Sequence, residues 1–362
     1  MPSKKRLVNK SNSEKHIKNV QFKPLVAIDF FCSAGGVTCG FKQAGINVLG
    51  GIDIDKSCQI TYEKNNDAKF LNKDVSNLDK NEIGKFFKIR RNQRNLIFVG
   101  CSPCQYYSNI QTDKSKSKNT RLLLEDFQDF VEYYRPGYVF IENVPGLDTK
   151  PGSPLEKFKI FLKENQYVFD EGVLNAKYFG VPQNRRRYVL IASRVKKKIS
   201  LPKPDKTRIT TVFDAIGDLN IFPPIEAGHK DPTPFKHSSA DLRPVNLERI
   251  SITEHDGGDR RSWPNELQPS CYENHDGHYD VYGRMFWNKP APTITTKFAS
   301  YSNGRYGHPE QNRAISLREG AVLQSFPMDY KFYSDSQGAI AKMIGNAVPP
   351  GLARNIGQSL LK

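Results

Sequence analysis

The strongest constraint on the fold is an alternation running from residue 25 to about residue 143. Short apolar runs of strand length alternate with segments of helical period. Residues 25–31 form the first apolar run. A helical pattern follows to Phe41 and ends at Gly45, a residue suited to a helix C-terminus. The second run, 46–52, ends in Asp53, and Asp55 is placed to cap the helix after it. A short strand at 69–72 and a helix over 79–91 come next. The run 96–99 then leads into Gly100-Cys-Ser-Pro-Cys104, and a helix over 122–134 precedes a strand at 137–141. Strands that are apolar throughout and separated by helices are buried on both faces, so the pattern predicts a doubly wound α/β domain with a mainly parallel sheet.

Composition narrows the class. Of 362 residues, 38% are hydrophobic, enough for a sizeable core. Lys plus Arg number 54 against 38 acidic residues, a net charge of +16 that favours a polyanionic partner. No stretch approaches the roughly 20 apolar residues of a membrane helix, and the first 20 residues lack the apolar region of a signal peptide. Six cysteines are too few for a disulfide scaffold. These features place the chain in the cytoplasm with reduced thiols. Residues 1–23 carry seven Lys or Arg and one Glu and read as a disordered basic arm. Near residue 194 the pattern changes: 194–208 holds seven basic residues and two prolines, and from 209 to 300 the helical period fades. Helical pattern returns at 317–326 and at the C-terminus.

Several clusters carry chemistry. Ser33, Ala34, Gly35 and Gly36 sit where backbone N–H groups meet a ligand at a helix start, and Asp53 follows Gly35 by 18 residues, at the end of the next strand. That arrangement suits a nucleotide, although a full G-x-G-x-x-G is absent and an ordinary tight turn also fits. Cys104 lies past the carboxyl end of a strand; a nucleophilic thiolate, a redox or metal pair with Cys101, or a buried thiol all fit that position. Glu142 ends another strand, where a carboxyl group in a closed site holds a base through its Watson–Crick edge. Arg185, Arg186 and Arg187 interrupt an apolar pattern, which is costly unless they meet anions. Cys271, His275 and His278 lack a fourth zinc ligand at standard spacing.

Taken in order, the motifs Asp29-Phe-Phe-Cys-Ser-Ala-Gly-Gly36, Gly51-Ile-Asp-Ile-Asp55, Ser102-Pro-Cys-Gln105, Glu142-Asn-Val144, Gln183-Asn-Arg-Arg-Arg187, Arg318-Glu-Gly-Ala-Val-Leu-Gln-Ser-Phe-Pro327 and Gly345-Asn-Ala-Val-Pro-Pro350 resemble those of the C5-cytosine DNA methyltransferases. Ser33 stands where that family usually has Gly, Cys101-Ser102 where Gly-Phe is common, and Asp53 where Glu is usual. The resemblance implies a Rossmann-like class I methyltransferase domain over 24–200, completed by about 340–362. It also implies a smaller loop-rich target-recognition domain over 205–300 and a hinge region over 301–340. It implies transfer of a methyl group from S-adenosylmethionine, leaving S-adenosylhomocysteine, to the 5-position of a cytosine flipped out of duplex DNA, without a metal.

Residue by residue, the resemblance makes Cys104 the covalent nucleophile and places Glu142 on the ring N3 and amine. Arg185 would steady the base or its phosphate, with Arg187 in support. Phe31 would stack on the adenine of the cofactor, Asp53 would take the ribose hydroxyls, and Asp74 would approach the adenine amine. Ser33, Ala34, Gly35, Gly36, Ile54, Val75 and Pro103 complete that site, with Asn346 and Val348 closing it from the far end of the chain. Gln105, Ser108, Lys114, Lys116 and Arg121 would meet DNA, the polar stretch 108–121 being suited by composition to a mobile lid, and Arg260 and Arg261 would read guanine, contact phosphates or carry surface charge. The implied partners are double-stranded DNA and a cognate restriction endonuclease acting on the same site without a stable complex. The protein would be a monomer, associated with the nucleoid of a bacterium. The same chemistry on tRNA, a non-catalytic DNA-binding regulator and a dithiol oxidoreductase using Cys101 and Cys104 are the competing readings.

Overall fold

The computed structural model describes residues 23–102, 123–146, 153–272 and 278–362. Seven strands form one sheet: β1 (Val26–Phe30), β2 (Asn47–Asp53), β3 (Lys69–Asn72), β4 (Leu96–Gly100), β5 (Tyr138–Asn143), β6 (Val168–Asn175) and β7 (Arg186–Ser193). Their order is β3-β2-β1-β4-β5-β7-β6. The first five strands are parallel, and β7 runs antiparallel to both β5 and β6. The chain order reverses between β1 and β4, the point at which an open α/β sheet leaves a crevice beyond its carboxyl edge.

Helices cover both faces. The helices α4 (Leu123–Tyr134) and α5 (Pro154–Glu164) pack one face, where Phe30, Phe98, Phe127 and Phe158 build an aromatic core. On the other face lie α1 (Gly36–Gln43) and α10 (Pro350–Leu361), so the last helix of the chain packs against the first. Gly36 permits that contact: a Cβ there would stand 2.4 Å from the Val348 carbonyl oxygen. The short helices α2 (Gln59–Asn66) and α3 (Lys80–Phe87) flank β3.

The described residues of 205–316 contain little regular structure beyond α6 (Val212–Ile216) and α7 (Pro244–Ser251). Loops leave backbone carbonyls without ladder partners, and these must be satisfied when buried. Arg284 does this here. Its fully buried guanidinium donates to the carbonyls of Thr253 (3.1 Å), Ile250 (2.8 Å), His308 (2.9 Å) and Gln311 (2.7 Å). Next to it, Arg313 and Glu319 form a fully buried two-pronged ion pair at 2.8 and 2.7 Å. Glu319 also accepts from the Ser316 backbone N–H at the start of α8 (Leu317–Leu323). The helix α9 (Gln337–Asn346) then leads into α10. Among the described residues no helix is long and apolar enough to cross a membrane.

His308 sits inside this cluster with Nδ1 accepting backbone N–H groups from Glu310 (3.1 Å) and Gln311 (3.0 Å), which fixes a neutral ring. Burial holds its imidazole down at about 4, against the pull of Glu319 3.8 Å away. A depressed histidine contributes stability above its ordinary value near 6.5, and that stability is lost as pH falls toward 4. Buried Asp29, pushed up to about 7 by desolvation, works in the opposite sense over the same range. The difference between two proteins therefore isolates the histidine. On going from pH 7 to pH 5 the wild type loses about 2 kcal/mol more unfolding free energy than His308→Gln, read by urea unfolding at the two pH values. Equal losses would contradict the assignment.

Candidate active site

The strand register aligns the carboxyl ends of the central strands: Phe30 lies beside Ile52 on one side and Gly100 on the other, and Gly100 beside Ile141. A single cleft of about 1410 Å³ runs along this edge. At one end it is walled by residues following β2 and β3, at the other by residues of β5 and the start of β7. Three strand spacings separate β2 from β5, roughly 14 Å.

The β2 end offers an apolar slot with acidic edges. Phe31 has φ 61° and Ser33 φ 46°, two left-handed residues without the freedom of glycine. The turn is held by the Ser33 N–H donating to Asp53 Oδ2 at 2.8 Å and the Gly35 N–H donating to the Cys32 carbonyl at 2.8 Å. Asp53 Oδ1 accepts the Asp55 N–H at 2.8 Å. Burial raises the Asp53 carboxyl above its ordinary value, with these hydrogen bonds opposing the rise. Ile54 lines the slot with 67% of its surface exposed, a bare apolar side chain inside a cleft. Val75 and Asp74 line the same end, and Asn346 borders the cleft from α9. Apolar walls for a base, with carboxylates for hydroxyls and an amine, fit a nucleoside.

The β5 end is a buried carboxyl among guanidinium groups. Glu142 Oε1 lies 2.9 Å from Arg187 Nε, both side chains nearly sealed from solvent. Burial raises the Glu142 carboxyl above its ordinary value, and Arg187 and Arg185 only partly offset this. Arg185, just before β7, donates to the carbonyls of Ile294 (3.0 Å), Gly345 (3.2 Å) and Ala347 (3.2 Å). Gln183 and Gln324 extend the same network, with Gln183 Nε2 donating to Gln324 Oε1 at 2.6 Å and Gln183 Oε1 accepting from the Ile294 N–H at 2.9 Å. Cys101 and Ser102, at the end of β4, lie between the two ends.

The cleft thus gathers Phe31, Ser33, Asp53, Ile54, Asp74 and Val75 with Asn346, Glu142, Arg185 and Arg187. Four expected cofactor residues lie behind it instead. Ala34, Gly35 and Gly36 are buried, and Val348 belongs to the core under α1 and α10. They shape the turn and its packing rather than face the cleft. Cys104, Pro103, Gln105, Ser108, Lys114, Lys116 and Arg121 lie outside the described residues, as does His275. The pair at 260–261 divides: Arg260 is 5% exposed and stacks on Tyr272, 4.1 Å from the ring centroid, whereas the exposed Arg261 is held two-pronged by Asp259 at 2.8 and 2.7 Å. Arg260 is thus packed inside this region, and Arg261 faces solvent. Among the described residues no group of three His, Cys, Asp or Glu could hold a metal ion. Thr295, Lys297 and Lys342 also line the cleft and were not anticipated.

Residues 25–362 match the family model for C-5 cytosine-specific DNA methylases. The Type II methylase M.HgiDII of Herpetosiphon aurantiacus is 39% identical over 340 residues, covering 92% of this chain and 94% of that protein. The Type II methyltransferase M1.HphI of Haemophilus parahaemolyticus is 32% identical, covering 93% and 87%. A putative DNA modification methyltransferase encoded within an E. coli prophage shares the fold with a TM-score of 0.71 at 21% identity, covering 93% of this chain and 98% of that one. The chain belongs to the C-5 cytosine-specific DNA methylase family and is a DNA cytosine-5 methyltransferase. Membership implies S-adenosylmethionine as methyl donor and DNA as substrate, and the DNA reading holds over the tRNA and regulator alternatives.

The exposed isoleucine gives a test of the nucleoside slot. Ile54→Ser changes folding stability by no more than about 0.5 kcal/mol, because the side chain is mostly bare. It weakens S-adenosylhomocysteine binding roughly tenfold through lost apolar contact. Thermal unfolding and titration calorimetry read the two effects, and unchanged affinity would contradict the slot.

Proposed function

We propose that this protein is the modification enzyme of a restriction–modification pair, methylating one cytosine within a specific duplex sequence through a covalent adduct of Cys104. Its Type II relatives and its basic charge support the reading, and the buried Glu142–Arg187 pair on the cleft wall is the observation that carries it. Cys104 follows Ser102, a residue that lines the cleft, by two positions in the sequence.

Cytosine C5 is a poor nucleophile. Bond formation between the Cys104 sulfur and C6 moves ring electrons onto C5 and N3. Glu142, with its carboxyl pushed toward the neutral form by burial, donates to N3 and accepts from the exocyclic amine, which stabilises the charge as it develops. Arg187 fixes the carboxyl, and Arg185 fixes the backbone around it. S-adenosylmethionine supplies an electrophilic methyl group. Asp53 accepts from its ribose hydroxyls, Phe31 and Ile54 contact its base, and Asp74 receives its amine. After transfer a base removes the C5 proton, the C6–sulfur bond breaks and the ring regains aromaticity. A base inside a duplex cannot reach this cleft, so the cytosine is flipped out.

Residues 205–300 read the target, with Arg261 offering a guanidinium fork once Asp259 releases it. Lys297 lines the cleft and has no carboxylate partner among the described residues, which suits a phosphate. The enzyme acts without a metal, as a monomer in the cytoplasm, and its nuclease partner shares only the recognition sequence.

Incubating the protein with labelled S-adenosylmethionine and duplex DNA of varied sequence yields label in 5-methylcytosine. Cys104→Ala abolishes it, and Glu142→Gln lowers kcat by about 100-fold while S-adenosylhomocysteine still binds. Label in tRNA alone, or full turnover by Cys104→Ala, would overturn the proposal.

A further inference from the structure

One ion pair ties the two ends of the chain together at the cofactor end of the cleft. Lys342 Nζ on α9 lies 2.8 Å from Asp55 Oδ2, across 287 residues of sequence. Asp55 is itself braced, since its Oδ1 accepts from the Ser57 hydroxyl at 2.6 Å and the Ser57 N–H at 3.1 Å. Both members of the pair line the cleft, as does Asn346, one helical turn further along α9. Asp53 stands two residues before Asp55, with its carboxylate in the cleft wall.

The surroundings of Asp53 are otherwise unfavourable to negative charge. The carboxyl group is buried, with Asp55 beside it, the thiol groups of Cys32 and Cys58 close by, and Asp29 beneath it on β1. Its two backbone donors, Ser33 and Asp55, are dipoles rather than charges. Lys342 supplies positive charge that favours the ionised form, and in turn Asp55, Cys58 and Asp53 all favour the charged ammonium. Each Asp53 oxygen already accepts one backbone N–H, so two ribose hydroxyls need the remaining lone pairs, and a proton on either oxygen would take one of them and add a donor.

We propose that Lys342, clamped by Asp55, is a positioning residue for the cofactor: its ammonium holds the Asp53 carboxylate in the charged, hydroxyl-accepting form and anchors α9 against the loop after β2. This rests on the reading of Asp53 as the ribose acceptor. Lys342 is 57% exposed at its side chain, so its replacement leaves the core intact.

The sign of the pH effect follows from the charges. Asp53 accepts while ionised, so cofactor binding weakens as pH falls and the carboxyl takes up a proton. Without Lys342 that protonation begins at higher pH. Asp53→Asn has no carboxyl to protonate and loses the step.

The test is calorimetric binding of S-adenosylhomocysteine to the full chain between pH 5.5 and pH 8 for the wild type and for Lys342→Met, Lys342→Arg and Asp53→Asn. Lys342→Met is expected to lose affinity at a higher pH than the wild type, with a deficit of roughly fivefold at its widest. Lys342→Arg restores the wild-type profile, and Asp53→Asn flattens it. A Lys342→Met profile parallel to the wild type, merely lowered at every pH, would mean a purely structural role and overturn the proposal. Wild type that fails to bind S-adenosylhomocysteine at any pH would instead overturn the cofactor reading on which it rests.

Discussion

The structure depends on one buried guanidinium. Arg185 stands at the entrance of β7 and reaches three carbonyls from separate parts of the chain, Ile294 in the later part of the loop-rich region and Gly345 and Ala347 at the end of α9. Taking that charge out of water is expensive, and burial pulls the group well below its ordinary value. Three carbonyl acceptors and the nearby Glu142 carboxylate offset the cost. The geometry they require fixes the sheet edge, the exit of the loop-rich region and the last two helices in one arrangement. The cleft is the space left among them.

Chemistry at this cleft follows from unequal treatment of its carboxyl groups. Glu142 and Asp53 are both buried and both pushed up, but their compensations differ. Glu142 faces arginines in a nearly sealed wall, while Asp53 accepts two backbone N–H groups and feels the charge of a half-exposed lysine that is paired with Asp55. One is poised to share a proton with a base, the other to accept hydroxyls. Arginine recurs as the organiser elsewhere. Arg284 and Arg313 satisfy carbonyls and a carboxylate among described residues that have few ladder hydrogen bonds.

Strand and helix alternation made the parallel half of the sheet legible: apolar runs at 25–31, 46–52 and 96–99 coincide with β1, β2 and β4 to within a residue or two. The antiparallel end was not. Along β6 half-exposed positions replace the continuous apolar pattern, so the strand gave no signal, and α5 went unread beside it. The three arginines looked like a strand interior, whereas Arg185 precedes β7 and turns its charge toward carbonyls. Glu142 and Asp53 could be found because each ends an apolar run. Lys342 and Lys297 could not, because an isolated lysine on a helix or in a loop looks the same whether it faces solvent or a cleft. Burial of Arg260 under Tyr272 and Tyr279 is likewise a tertiary fact that local sequence does not encode.

The central claim is that the cleft wall formed by Glu142 and Arg187 serves a thiolate at position 104. It is tested most directly by trapping the protein on a pool of duplexes carrying 5-fluorocytosine, whose fluorine blocks the final elimination. The trapped complex is then digested and the peptide that carries the nucleotide is sequenced by mass spectrometry. The account predicts a methylated fluorocytosine bonded to Cys104. An adduct on Cys101, or methylation that proceeds with no adduct at all, would contradict it.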